Sequence, residues 1–141
     1  MKTQSDFAEK VTPVTMTPIG IIHSPCSSRE DTPKNGALRP DISATLEVDP
    51  RYREAMADMR PGQQFMILFL FHQSGPVRQT VPLRGSGPMT ALFSTHAPSR
   101  PNPIGVSVIT VTAVEDNRIT FTGVDMFDKT PVLDIKSWSA H

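Results

Sequence analysis

Proline sets the first limit on this chain. Fourteen of its 141 residues are proline, about twice the usual share of about 5%. Each proline inside an α-helix costs about 3 kcal/mol, so long helices are disfavoured and short strands joined by turns remain. The length suits one domain, with a core that needs no disulfide. A single cysteine, Cys26, allows neither an internal disulfide nor a Cys-x-x-Cys pair. The histidines at 23, 72, 96 and 141 show no metal-ligand spacing, so no metal is expected. Basic and acidic residues number 14 each, for a net charge of zero. That argues against a strongly basic nucleic-acid module and leaves room for a local basic patch. The longest apolar run, residues 65–71, falls far short of the roughly 20 residues of a membrane span. The polar start of the chain lacks the apolar core of a signal peptide. We expect a flexible tail over residues 1–16, one domain over 17–141 and a cytoplasmic protein.

The apolar periodicity is of strand type. Residues 18–23 form a short β-rich run. Over 42–48, Ile42, Ala44, Leu46 and Val48 share one face, as a half-buried strand requires. Asp49 and Pro50 read as an N-cap and first helical position. Ala55, Met56 and Met59 follow at helical spacing, so a short helix is predicted over 51–59, stopped by Arg60-Pro61-Gly62. Residues 65–71 (FMILFLF) carry no polar residue. They predict a strand buried on both faces, or buried on one and in a subunit contact on the other. Further strands are predicted over 77–83 and 89–95, then a hairpin of 104–114 and 118–126 around Glu115-Asp116-Asn117, then 132–135. Both hairpin strands show a phase slip, between Val108 and Ile109 and around Gly123, of the kind a β-bulge absorbs. The predicted class is all-β: a small antiparallel β-barrel with one short helix and long loops, closed so that no edge is exposed.

Three segments are too specific to be simple connectors. Residues 93–105 (FSTHAPSRPNPIG) contain Pro98, Pro101 and Pro103, which fix φ and extend the residues before them. Such a loop aims Arg100 and Asn102 with little ordering entropy left to lose, or serves only to close the barrel edge. Residues 123–138 carry Asp125, Asp128 and Asp134, which suit Asx-turns or contacts to a ligand. His72-Gln73 follows the apolar strand at the barrel rim, where small pockets open. No glycine-rich dinucleotide loop, Walker loop or nucleophile elbow is present. The alternating strands and helices of a Rossmann sheet are absent too.

The run Arg100-Pro101-Asn102-Pro103-Ile104-Gly105 stands with Thr130-Pro131-Val132-Leu133-Asp134-Ile135-Lys136. Phe71-His72-Gln73 and the opening Pro18-Ile19-Gly20 and His23-Ser24-Pro25 fall in the same order. Together they resemble the TrmO/TsaA-like family, also called the YaeB or VirR group, over about residues 18–138. The resemblance implies a β-barrel methyltransferase that uses S-adenosyl-L-methionine and acts on N6 of threonylcarbamoyl-adenosine beside a tRNA anticodon. It also implies a homodimer with the cofactor near the subunit contact, which the strand at 65–71 or the proline loop would approach. Carried over by position, the cofactor contacts fall on Gly36, Ala37, Leu38, His72, Gln73, His96, Val106, Phe127, Asp128, Lys129 and Thr130. Arg100, Asn102, Asp134 and Lys136 would bind substrate or position the loops. Asp128 and Asp134 are candidate proton acceptors by placement alone, and no residue is singled out as the base. A small-metabolite acceptor, or a non-catalytic cofactor-binding module, fits the same loops. His96 stands where the family has arginine, and Lys129 where it has glycine; a lysine there calls for negative φ.

Overall fold

The computed structural model describes residues 4–25, 42–71, 75–123 and 126–139. Its strands are β1 (Gly20–His23), β2 (Ser43–Val48), β3 (Gln64–Leu70), β4 (Thr80–Pro82), β5 (Met89–Ala91), β6 (Ile104–Glu115), β7 (Arg118–Thr122) and β8 (Pro131–Ser137). The only α-helix among the described residues is the single turn α1 (Gln4–Ala8), and residues 6–18 are exposed. No helix there is long and apolar enough to cross a membrane. The chain is thus mostly β. Every strand pairing is antiparallel. Six strands follow the cyclic order β1-β2-β7-β6-β3-β8, a closed barrel, while β4 and β5 pair only with each other as a separate arm. The ring closes where Gly20 and Ile21 meet Val132 and Pro131.

Alternation along each strand sends one set of side chains inward. Ala44, Leu46 and Val48 of β2 do so, with Ile67 and Phe69 of β3, Ile109 and Val111 of β6, Ile119 and Phe121 of β7, and Val132 of β8. Along β3 the inner residues are buried, and the outer Met66, Leu68 and Leu70 are half-buried. Gly105 is a packing necessity: a Cβ there would stand 2.5 Å from the Phe69 ring and 2.7 Å from that of Phe71. Those two rings pack edge to face with centroids 5.1 Å apart.

Several sequence expectations shift. The predicted helix over 51–59 is a 3₁₀ segment, Pro50–Met56, interrupted by the non-helical Tyr52. Its start is as read: the Asp49 side chain accepts from the Arg51 backbone N–H, with proline next. A 3₁₀ turn is enough because its task is to deliver Met56 and Met59 into the core. The strands expected over 77–83 and 89–95 are three-residue pieces that run into 3₁₀ turns at Leu83–Gly85 and Leu92–Ser94. The slip expected between Val108 and Ile109 is absent. Gly105, Ser107, Ile109 and Val111 are all buried in alternation, and the register shift falls between Val111 and Ala113. Beyond it Val114, not Ala113, packs against the core. At Gly123 there is a strand end instead of a slip: β7 stops at Thr122, and Gly123 takes φ +89°. An unanticipated irregularity lies between β3 and β8, where Leu133 is the extra residue.

Candidate functional site

Antiparallel order gives the barrel two ends. At one, β1, β3 and β7 finish while β2, β6 and β8 begin. This end therefore receives residues 24–25, 71, 96–103 and 126–130 from distant parts of the sequence. Gly36, Ala37, Leu38, His72 and Gln73 lie outside the described residues, as do Cys26 and Asp125.

The segment 127–130 is fastened to β1. Ile22 N–H donates to Thr130 O at 2.9 Å, and Lys129 N–H donates to Ile22 O at 2.6 Å. The Asp128 carboxylate accepts from the Ser24 backbone N–H at 2.9 Å. Thr130 is buried, and its hydroxyl donates to Phe127 O at 2.7 Å. These bonds hold Lys129 at φ +68°, which corrects the expectation of negative φ. For an L-residue the left-handed region costs about 1–2 kcal/mol, and here the surrounding hydrogen bonds outweigh that cost. Phe127 is half-buried, and Lys129 is exposed.

The proline loop is organised by its own arginine. One guanidinium nitrogen of Arg100 donates to Thr95 O at 2.8 Å and Ala97 O at 3.2 Å. The Thr95 hydroxyl donates to Leu92 O at 2.8 Å and accepts from Ala97 N–H. Phe71 N–H donates to Pro103 O at 2.8 Å, tying the loop to the end of β3. Arg100 is thus a loop-positioning residue. His96 and Asn102 are exposed at this end.

Val106, Asp134 and Lys136 belong elsewhere. Leu68 pairs with Val106 on one side and Asp134 on the other, and Met66 pairs with Lys136. Because Ile67 and Phe69 point inward, these residues form a row on the outer wall. Val106 is 41% exposed, and Lys136 Nζ stands 3.1 Å from an Asp134 carboxylate oxygen. The structure therefore sorts the described site residues into an end cluster and an outer-wall row, a division hidden from the sequence because the bulge at Leu133 sets which way Asp134 points. Sequence reasoning missed Ser24 as the partner of Asp128; a backbone N–H carries no side-chain signal. A cleft of about 310 Å³ lies at the opposite end, lined by Arg53, Met56, Met59, Arg60, Val114 and Asp116 among others. None of the predicted site residues lines it.

Residues 21–141 match the family model described as the tRNA-methyltransferase O N-terminal domain. The chain belongs to the TrmO N-terminal domain family. A crystal structure of TrmO from Pseudomonas aeruginosa superposes with a TM-score of 0.77 at 33% identity, covering 91% of this chain and 57% of that one. A Pyrococcus abyssi protein named "Probable S-adenosyl-L-methionine-binding protein" is 36% identical over 121 residues, 86% of this chain and 66% of the relative. The human tRNA (adenine(37)-N6)-methyltransferase is 32% identical over 131 residues, 88% of this chain and 30% of the human protein. This TrmO-family chain thus spans about two thirds of the Pyrococcus relative and a smaller part of the human enzyme. The matched region contains every end loop described above.

Proposed function

We propose that this chain is an S-adenosyl-L-methionine-dependent methyltransferase that acts on tRNA, at N6 of threonylcarbamoyl-adenosine beside the anticodon, as a cytoplasmic homodimer. Family membership over residues 21–141 carries this reading, supported by relatives named for binding the cofactor and for methylating tRNA adenine. The donor set at the loop-bearing end suits the cofactor. Lys129 and His96 offer exposed polar groups, and Phe127 offers a half-buried ring. That mixture meets the needs of an amino-acid tail, a ribose and an adenine. When bound, the cofactor supplies a methyl group on a cationic sulfur, open to in-line attack by a nitrogen.

The chain's own contribution is to hold donor and acceptor in attack geometry. Asp128 holds the 127–130 turn against β1, and Arg100 holds the proline loop. Neither candidate carboxylate is an idle base: Asp128 accepts from Ser24 N–H, and Asp134 accepts from Ile135 N–H and pairs with Lys136. Both carboxylates are thereby engaged in holding local structure, and we assign them positioning roles. The exposed Val106 beside half-buried Leu68 offers the outer wall to the second copy.

Labelled cofactor and two tRNA preparations, with and without the threonylcarbamoyl group, test the reading. Label should enter the first only. Label in neither tRNA, or no heat of cofactor binding by titration calorimetry, rejects it. Asp128→Ala should lower Tm and weaken cofactor binding about tenfold or more, the usual cost of a lost hydrogen bond to a charged group. Asp128→Asn, which keeps the accepting oxygen, should recover most of both. Unchanged affinity in Asp128→Ala would confine that residue to stability.

A further inference from the structure

The arginines of this chain fall into two groups. From residue 59 to residue 114 the sequence contains no aspartate or glutamate, yet it holds Arg60, Arg78, Arg84 and Arg100. Among the described residues outside that stretch every arginine is ion-paired: Arg51 with Asp49, Arg53 with Asp116, and Arg118 with Glu47. Inside it no described carboxylate meets an arginine. Arg60 and Arg100 donate to backbone carbonyls, and Arg78 and Arg84 are exposed. Three of these arginines, Arg78, Arg84 and Arg100, fall on one element with no carboxylate partner among the described residues, while Arg60 lies at the opposite end.

That element is the β4–β5 arm with the proline loop. The two are joined: Arg78 N–H donates to Ser99 O at 3.1 Å, and Leu92 N–H donates to Gln79 O at 2.9 Å. Arg78 and Arg100 sit at the base of the arm, and Arg84 sits at the turn beyond β4. At about 3.3 Å per residue the backbones of Arg78 and Arg84 lie at most about 20 Å apart. Phe93 at the foot of the arm is 80% exposed, and the Arg100 guanidinium lies 5.8 Å from its ring centroid. An exposed ring beside a guanidinium is what stacks unpaired bases, and arginines without carboxylate partners are what meets phosphates. Self-association through a two-fold axis would bring this cationic face onto itself, with no carboxylate on the arm to answer it. The charge favours an anion.

We infer that the β4–β5 arm and the proline loop dock the phosphate backbone and an unstacked base of the RNA acceptor. This inference rests on the tRNA reading above. It assigns to Arg78, Arg84 and Phe93 a role in binding RNA and none in holding the cofactor.

The test uses the full chain and a fluorescently labelled anticodon stem-loop RNA, with anisotropy measured across a salt series. The double variant Arg78→Ser/Arg84→Ser should bind about tenfold more weakly or worse. Its log–log salt slope should fall by about one per arginine lost. Phe93→Ser should weaken binding with the slope unchanged. Cofactor affinity by calorimetry should stay at the wild-type value in both, which shows that they fold. Arg51→Ser, at the opposite end, should bind RNA as wild type does. Wild-type RNA affinity and slope in the double variant would overturn the inference while methyl transfer to tRNA kept the enzyme reading intact. A loss of RNA affinity that tracks loss of dimer in sedimentation would also overturn it, because the face would then join two copies. A wild-type chain that binds cofactor but neither binds nor methylates tRNA would defeat both the inference and the tRNA reading.

Discussion

The two ends of the barrel are finished in different ways. At the end where β6 turns into β7, polar groups are matched internally. The side-chain amide of buried Asn117 donates to Val48 O at 2.7 Å, and its backbone carbonyl accepts from Val48 N–H at 2.8 Å. Arg53 makes a forked pair with Asp116 at 2.7 and 3.1 Å, and Met56 and Met59 fill the core beneath. At the other end the described backbone is also hydrogen-bonded, but Lys129 and Arg84 are exposed and held at positive φ, with no carboxylate partner among the described residues. The difference separates rigidity from neutrality. Both ends carry hydrogen bonds, but among the described residues the arginines of the first end meet carboxylates or backbone carbonyls, whereas the side chains of Arg78 and Arg84 at the other meet neither. An end that is rigid and electrostatically incomplete is suited to a ligand.

The contrast is most exposed to failure at the plug. Met56→Ala should cost about 2–5 kcal/mol of stability, the usual range for removing a buried methionine side chain. Cofactor affinity of the folded fraction should not change. Denaturant titration together with calorimetry checks both. Weakened cofactor binding with full stability would show that the plugged end is functional and remove the distinction.

A smaller effect is expected at Lys129. Lys129→Gly should relieve about 1–2 kcal/mol of left-handed strain and give back roughly 0.5–1 kcal/mol through the freer unfolded chain. The net gain of about 0.5–1 kcal/mol should appear as a rise in Tm of about 2–4 °C. A stabilised variant with weaker cofactor or tRNA binding would sharpen the contrast, since strain retained at a site is the mark of a useful side chain. A lower Tm would mean that the lysine side chain stabilises the turn.

The smallest effect concerns Glu47, on the barrel wall. The hydrogen bond from His23 Nε2 at 2.9 Å, with Arg118 adding charge, holds its carboxyl below the ordinary 4.5. A carboxyl depressed in the folded state adds stability above its unfolded value and loses it as pH falls through the folded one. The Tm gap between wild type and His23→Ala should therefore close as pH drops below about 4.5, though only slightly, because both groups are exposed. A gap that is constant with pH would contradict the coupling.

Local rules carried much of this protein. Period-two alternation placed β2 and an unbroken apolar run placed β3, each within a residue or two. Asp49-Pro50 marked the start of a turn because capping involves neighbours in sequence. The loops of the candidate site were legible as motifs for the same reason: proline stiffens whatever it sits in. Long-range hydrogen bonding decided the rest. The register shift at Val111/Ala113 depends on pairing with β7, and alternation within 104–114 suggested a different position. The φ of Lys129 is imposed by Ile22 and Ser24, more than a hundred residues away, so no local propensity could foretell it. Asp134 and Lys136 went to the outer wall because one extra residue, Leu133, changes which way they face. Arg78 and Arg84 carry no motif at all; their exposure and lack of a carboxylate partner exist only once the chain is folded. The sequence by itself determined which segments are strands and which loops are stiff, since those depend on neighbours. The tertiary structure decided which end they meet at and which charges stay unanswered, because register and ion pairing are settled only between segments far apart in the chain.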